Sequence, residues 1–202
     1  MDNSYFFLDI EISKKGLFLD EGQVEPEEIL EVHNKGISLS KQNINITLFV
    51  RRDKKLLSIS PNLFSLLIVS CKMRKVFEKF EPNNIEFYDV ELIDTVSDNP
   101  ARNFFFANIL QNVNAINYED SNIEYYADSK VIKRVQKLRL NHEEIGSRNI
   151  FRIVGLRSKL LVSKKVKEQI ITDFGQDNFQ FTPINQFKKG GWFDKINKKM
   201  KN

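Results

Sequence analysis

The chain offers few residues for metal chemistry, and their spacing argues against a metal site. Its histidines are His33 and His142, and its single cysteine is Cys71. The run His-Glu-Glu that starts at His142 begins like a zinc-binding HExxH helix, but Gly146 stands where the second histidine ligand is needed. Two imidazoles and one thiol cannot build a Cys/His zinc cluster. The sequence therefore predicts no metal and no other cofactor.

Nucleophilic catalysis finds equally little support. The sequence has no GxSxG elbow and no glycine-rich phosphate loop. Ser70 and Ser163 each follow a short apolar run and precede a helical pattern, so their hydroxyls are better placed to cap helices than to attack a substrate. Cys71, directly after one of these serines, is interpreted as structural, and its pairing with a distant histidine is the remaining enzymatic alternative. The sequence thus predicts no catalytic residues and a protein that is not an enzyme.

The two serines belong to a repeated pattern. Residues 67–90 read LIVSCKMRKVFEKFEPNNIEFYDV and residues 160–184 read LLVSKKVKEQIITDFGQDNFQFTPI. An offset of 93 aligns Leu63 with Leu156, Ser65 with Ser158, Leu67 with Leu160, Val69 with Val162, Ser70 with Ser163 and Lys72 with Lys165. After one inserted residue, Phe80, Asn84 and Phe87 align with Phe174, Asn178 and Phe181.

Each copy has the features of a strand, an amphipathic helix and a second strand. The apolar runs before the serines suit buried strands, and the following apolar residues recur at helical spacing. Pro82 and Gly175 are expected to end the two helices. The sequence therefore predicts an α+β fold, mixed and strand-rich, with two similar strand–helix–strand modules at about 63–93 and 150–184. The similarity reflects either duplication or convergence on favourable local chemistry.

The remaining chain adds further strands and a tail. Residues 45–50 and 55–59 flank a charged RRDK tip and are expected to form a hairpin, and residues 104–110 are expected to form a strand. The break at residues 97–100 suggests a subdomain seam at 94–101. We expect a single domain over 1–187, followed by a basic C-terminal tail over 188–202.

The positive charge is local. The tail holds six lysines and one aspartate, a net +5, so the rest of the chain carries −1 of the overall +4. One stretch is acidic instead, with no lysine or arginine among its carboxylates: Asp20, Glu21, Glu25, Glu27, Glu28 and Glu31. Pro26 can start a short helix there. This stretch is either a solvated surface helix or a patch for a basic partner.

The N-terminus and the hydropathy pattern bear on location. The segment MDNSYFFLDIEI carries acids and no positive region before its apolar run, which is unlike a signal peptide. No stretch approaches the ~18 consecutive apolar residues of a membrane span. We therefore expect a cytoplasmic protein without a membrane span.

The second half of the chain resembles a known family. The stretch NFFFANILQNVNAINYEDSNI, followed by NIFRIVG, LLVSKKVKEQI and NFQFTPI, resembles the bacterial immunity proteins found beside polymorphic toxins, over about residues 63–184. Asn114 and Asn117 stand where aspartate is commoner, and Asp177-Asn178 replaces an expected glycine. The recurring residues are interpreted as core and turn positions: Phe104, Phe105, Asn108, Ser121, Phe151, Val162, Ser163, Phe181 and Pro183.

The resemblance implies a function. Members of the family are expected to bind and neutralise a cognate toxin, delivered by a neighbouring cell in contact-dependent competition or made by the same cell, by direct protein contact and with no catalysis. The acidic set from Asp20 to Glu31 is then the first predicted toxin-binding surface. The alternative is a nucleic-acid-binding module that uses the basic hairpin tip, Arg51 to Lys55, and the lysine tail. The charge of −1 outside the tail argues against this alternative.

Overall fold

The computed structural model describes residues 5–10, 22–50, 57–60, 62, 64–94 and 100–189, with the backbone alone at 100–102. Its strands are β1 Tyr5–Ile10, β2 Gly22–Glu25, β3 Asn45–Val50, β4 Ile59–Ser60, β5 Ile68–Ser70, β6 Ile85–Asp94, β7 Pro100–Ile109, β8 Asn122–Tyr125, β9 Ile132–Lys137, β10 Ile150–Arg152, β11 Leu160–Ser163 and β12 Phe179–Pro183. Its helices are α1 Glu28–Val32, α2 Cys71–Phe80, α3 His142–Ile145 and α4 Lys164–Phe174, with a 3-10 turn at Ile184–Gln186. The α+β, strand-rich fold predicted from the sequence is confirmed.

The strands form three sheets. One has four strands in the order β10-β11-β1-β12, a second has six in the order β2-β3-β6-β7-β5-β4, and β8 pairs with β9 alone. The β3–β6 pair is parallel and the other strand pairs are antiparallel. The two larger sheets each contain one of the predicted modules.

The two modules share one topology. In the first, α2 connects β5 to β6, and β7 lies between these two strands, antiparallel to both. In the second, α4 connects β11 to β12, and β1 lies between them in the same way. The equivalent residue pairs also match: Ser70–Phe104 with Ser163–Tyr5, Val69–Phe105 with Val162–Phe6, and Phe87–Ala107 with Phe181–Leu8. The N-terminal strand thus plays in the second module the part that β7 plays in the first.

A cation over two aromatic rings recurs at the same place in each module. The guanidinium carbon of Arg74 lies 4.4 Å from the ring centroid of Phe105 and 5.0 Å from that of Phe87. Lys167, 93 positions later, places its Nζ 4.0 Å from the ring centroid of Phe6 and 5.6 Å from that of Phe181. Such cation–π contacts cover half-buried rings that would otherwise meet water.

The helix ends differ between the modules. The hydroxyl of Ser70 accepts a hydrogen bond from the backbone amide of Met73 at 3.3 Å, which confirms the predicted cap of α2. The cap predicted for α4 is wrong. Ser163 occupies the same position, but its hydroxyl hydrogen-bonds Asn149 Oδ1 at 2.9 Å and caps no amide. Gly175, with φ of +75°, follows the end of α4 as predicted.

The core has three parts. The inner faces of both large sheets and the apolar faces of α2 and α4 form one shared core, which includes Phe77, Val162 and Ile170. A second cluster lies on the other face of the four-stranded sheet, under β9 and the neighbouring loops. A third lies on the other face of the six-stranded sheet, under α1. The two modules therefore share one buried core and are held together by it.

Glu81 adds a polar link between the modules. It follows α2, and its side chain is 4% exposed. One carboxylate oxygen accepts hydrogen bonds from the backbone amides of Asn149 and, at 3.1 Å, Ile150, while the other accepts from Asn84 Nδ2 at 2.9 Å. The carboxylate of the first module thereby fixes the start of β10 in the second.

One of the remaining strand predictions is confirmed and one is wrong. The strand at residues 104–110 is confirmed by β7, but the hairpin of residues 45–50 with 55–59 is wrong. β3 pairs with β2 and β6, while β4 lies at the opposite edge of the same sheet and pairs with β5. Residues 51–56 and 95–99 lie outside the described part, as do residues 190–202 of the basic tail. The strands that flank the predicted seam pair with each other.

Candidate interaction surfaces

The predicted acidic set is partly visible as an exposed patch. Glu25 ends β2, and Glu27, Glu28 and Glu31 lie at the start and along the length of α1, all exposed to solvent. The helix begins just after Pro26, as the sequence predicted, and Ile29 on its opposite side is fully buried. The structure therefore brings four carboxylates together on one surface. Asp20 and Glu21 lie outside the described residues.

A second surface, which the sequence did not single out, lies on and beside the β8–β9 hairpin. We call it the tyrosine surface and define it by the exposed side chains Tyr118, Tyr125, Tyr126 and Val131, which are 51%, 41%, 56% and 60% exposed. Tyr118, Tyr125 and Val131 line a cleft of about 710 Å³, and Lys130 lines it as well. Clustered exposed aromatic side chains are typical of sites where proteins bind one another.

Local structure holds the tyrosine surface in place. Tyr118 stands in a turn that Asn117 closes, because its side-chain oxygen accepts a hydrogen bond from the Asp120 amide at 3.1 Å. Beneath the hairpin, Ile132 and Val135 are 2% and 1% exposed and pack into the second core cluster. The exposed rings therefore stand on a well-packed base.

Two further contacts support the hairpin. Lys189 exchanges backbone hydrogen bonds with Val135 at 2.9 and 3.1 Å, and its Nζ donates to the Ile132 carbonyl at 2.7 Å. Gly155 approaches so closely that a Cβ there would lie 2.9 Å from Ile132 Cδ1, and its φ is +88°. A glycine is required at this point because an L side chain would meet both strain and a clash.

Tyr125 keeps its proton at neutral pH. Burial raises the pKa of Tyr125 above its ordinary value of 10.0, and the neighbouring Tyr118 raises it further through its charge and a hydrogen bond. Neutral phenols present an apolar ring and a hydroxyl that can donate or accept a hydrogen bond. This combination suits a protein interface.

One carboxylate with four hydrogen-bond donors has a structural role. Glu86 accepts hydrogen bonds from Ser38, from the Leu39 amide at 2.9 Å, from Tyr88 at 2.8 Å and from Asn108 Nδ2 at 3.0 Å. Burial raises its pKa, but these donors outweigh burial and the net pKa is lowered. Asn108 is fully buried, as expected for a recurring core residue. The group ties the segment after α1 to β6 and β7.

Metal-binding clusters and membrane-spanning helices are both missing from the described part of the chain. No group of three or more His, Cys, Asp or Glu side chains among these residues could hold a metal ion. Across the same residues, no helix is both long enough and apolar enough to cross a membrane. The basic segment Arg51 to Lys55 lies outside the described residues.

The tyrosine surface was missed because its signal is tertiary. Tyr125 and Tyr126 are adjacent in the sequence, and a strand pattern alone would bury one of them. Their joint exposure depends on β8 pairing with β9 alone, at the margin of the fold.

The fold is a strand-rich α+β scaffold with four of its exposed large apolar side chains gathered at one hairpin, as in proteins that act by surface contact. The chain belongs to the immunity protein family Imm11, which matches it over residues 14–186. This match confirms the resemblance to immunity proteins. No curated protein matches the sequence.

Proposed function

We propose that this protein neutralises a cognate bacterial toxin by direct protein–protein contact, with no chemistry of its own. The observation that carries the proposal is the match to an immunity protein family over residues 14–186. The toxin is that of a polymorphic toxin system, and the encounter takes place in the cytoplasm of the cell that makes the immunity protein. Residues 1–187 act as one domain in this role.

We place the main contact on the tyrosine surface. Tyr118, Tyr125 and Tyr126 expose about half of each side chain, so a partner can bury substantial aromatic area at little cost in side-chain entropy. Tyrosine is among the residues that contribute most to protein interfaces, and truncation of a central one typically costs about 2 kcal/mol or more. Lys130 and Arg157 line the same cleft and favour a partner that presents carboxylates beside an apolar patch.

The acidic patch of Glu25, Glu27, Glu28 and Glu31 has a different role in the proposal. These carboxylates are exposed and contribute chiefly to the rate of association if the toxin is basic. The patch lies on the outer layer of the six-stranded sheet, whereas the tyrosine surface lies on that of the four-stranded sheet. Substitutions can therefore test the two surfaces separately.

The experiment measures binding to the toxin domain encoded by the neighbouring gene and protection of cells that express it. Replacing Tyr118, Tyr125 and Tyr126 by serine should weaken binding by at least ~30-fold, mostly through faster dissociation. Replacing the four exposed glutamates by glutamine should instead slow association and reduce its salt dependence. Replacing three exposed lysines elsewhere, Lys41, Lys75 and Lys164, by serine controls for the number of substitutions.

The outcomes separate the parts of the proposal. If the wild-type protein neither binds the toxin nor protects cells, the proposed function is refuted. If it binds and protects but the tyrosine triple variant behaves like the lysine control, the function stands and the assigned surface is wrong.

A further inference from the structure

Arg152 is a buried cation without a carboxylate partner among the described residues. It ends β10, and its side chain is 5% exposed. Its Nη1 donates to the Arg157 carbonyl at 2.6 Å, while its buried Nε has no hydrogen-bond partner in the described part of the chain. Buried charges in proteins are normally paired, because removing an ion from water costs several kcal/mol. An arginine left in this state therefore requires an explanation.

The guanidinium remains charged despite its burial. Burial lowers the pKa of Arg152 from 12.5 to about 10, so the side chain stays protonated at neutral pH. Its influence extends to His33, whose pKa is lowered first by burial and in part by the Arg152 charge. No acidic side chain of the described residues contributes to the shift in the pKa of Arg152. The positive charge at this point is thus uncompensated by the described residues.

A cavity of about 340 Å³ opens onto Arg152. It lies between β1, β10 and β11 on one side and Ile59, Ser60, Asn62 and residues 65–67 on the other, where the two large sheets approach each other. Apolar side chains form much of its wall, including Ile10, Leu66 and Leu67. Cavities of this size, with an apolar wall and a few polar groups, are typical of small-molecule sites.

The rim does not neutralise the arginine. Asp9 also lines the cavity, but its carboxylate already pairs with Lys159 Nζ at 2.6 Å, and both side chains are 35% exposed. The pair is therefore solvated and close to neutral overall. Asn34 also lines the cavity, and its buried side-chain oxygen has no partner among the described residues.

We propose that this cavity binds a small organic carboxylate, with the acid group on Arg152 and an apolar body along the leucine and isoleucine wall. A guanidinium matches the planar carboxylate with paired donors, and Nε of Arg152 has no hydrogen-bond partner among the described residues. Binding would compensate the buried charge and cover apolar side chains at once. The site is separate from the tyrosine surface and does not depend on the toxin-binding proposal.

The test is a ligand-dependent shift in the unfolding midpoint, followed by calorimetric titration. The probes are sodium hexanoate, acetate and phosphate, compared with sodium chloride at equal ionic strength. Hexanoate should raise the midpoint in a saturable manner, and acetate and phosphate should do so at least tenfold more weakly because they lack the apolar body. The Arg152→Met variant keeps an aliphatic chain of similar length. Its hexanoate-dependent shift in the unfolding midpoint should be at least tenfold weaker.

Two further variants make the result decisive. Ser158 is exposed at the cavity mouth, so Ser158→Trp should block hexanoate without disturbing the core, and it decides the matter alone if Arg152→Met does not fold. Arg139→Met removes an exposed arginine elsewhere and should leave the response unchanged. An unchanged response in Arg152→Met or Ser158→Trp overturns the proposal, as does a lack of any hexanoate effect beyond that of chloride. A stronger effect of phosphate than of hexanoate overturns the assigned ligand class.

Discussion

Replacing Glu81 by alanine should destabilise the whole fold, because one carboxylate joins the two modules. The side chain accepts hydrogen bonds from the backbone amides of Asn149 and Ile150 and from Asn84 Nδ2. Hydrogen bonds to a charged group contribute about 1.5–3 kcal/mol each, but the buried carboxylate also loses hydration, and water can reach some of the freed donors. We therefore expect the free energy of unfolding to fall by about 3 kcal/mol.

The glutamine variant separates the hydrogen bonds from the packing. Glu81→Gln keeps an oxygen for the two amides, and Asn84 needs only to turn its own amide to face the new NH₂ group, so the loss should be about 1 kcal/mol. Glu78→Ala is the matched control. That glutamate pairs with Arg74 at 2.7 Å on the exposed side of α2, where such an i,i+4 pair contributes about 0.5 kcal/mol or less.

Urea unfolding followed by far-ultraviolet circular dichroism measures all three variants. The expected order of destabilisation is Glu81→Ala, then Glu81→Gln, then Glu78→Ala. A loss below about 1 kcal/mol for Glu81→Ala, or equal losses for the alanine and glutamine variants, would show that the carboxylate does not link the modules.

Three other predictions follow from single residues, each measurable by the same unfolding assay. Ser70→Asp should change stability by less than about 0.5 kcal/mol, because aspartate caps helices as well as serine does. Ser163→Asp should instead cost more than about 1 kcal/mol, because it buries a carboxylate where no amide is capped. Gly155→Ala should lower the free energy of unfolding by about 1–3 kcal/mol, because the backbone there has φ of +88° and the new Cβ would meet Ile132. An unchanged free energy of unfolding would contradict this close approach. Burial lowers the pKa of His33 below 6.5, so protonation favours the unfolded chain. The contribution of His33 to the free energy of unfolding should be fully present above pH 6.5. Below that pH the free energy of unfolding should fall by up to about 1.4 kcal/mol per pH unit, and His33→Gln should remove this pH dependence.

The sequence revealed local chemistry well and strand partners poorly. A serine between an apolar run and an amphipathic helix, with Pro82 or Gly175 after it, was enough to predict both modules. The partners of their strands lie far away in sequence, and β1 pairs with residues more than 150 positions later. The wrong hairpin has the same origin. The alternation in residues 45–50 predicts a strand, but it does not identify β6 as the parallel neighbour.

The candidate sites divide in the same way. The carboxylates around α1 lie close enough together along the chain to be recognised as a charged patch from their spacing alone. The tyrosine surface depends on the isolated pairing of β8 with β9, and sequence alone cannot report which face of a marginal hairpin is covered. Arg152 did leave a trace, because it is a lone charge within the apolar strand pattern IFRIVG. That pattern cannot reveal whether a carboxylate elsewhere in the fold pairs with it.

The architecture would allow the proposed toxin-binding surfaces to change while the fold persists. The inner faces of both modules pack into one shared core. The central strand is β7 in the first module and β1, from the N-terminal end of the described chain, in the second. The outer faces are covered by α1 on one side and by the β8–β9 hairpin on the other. Tyr126 and Glu28 are exposed residues of these covering layers and belong to none of the three core clusters. Substitution at such positions costs little stability, so under the proposed function they can vary with the toxin, while the strand–helix–strand modules beneath them are held by the shared core.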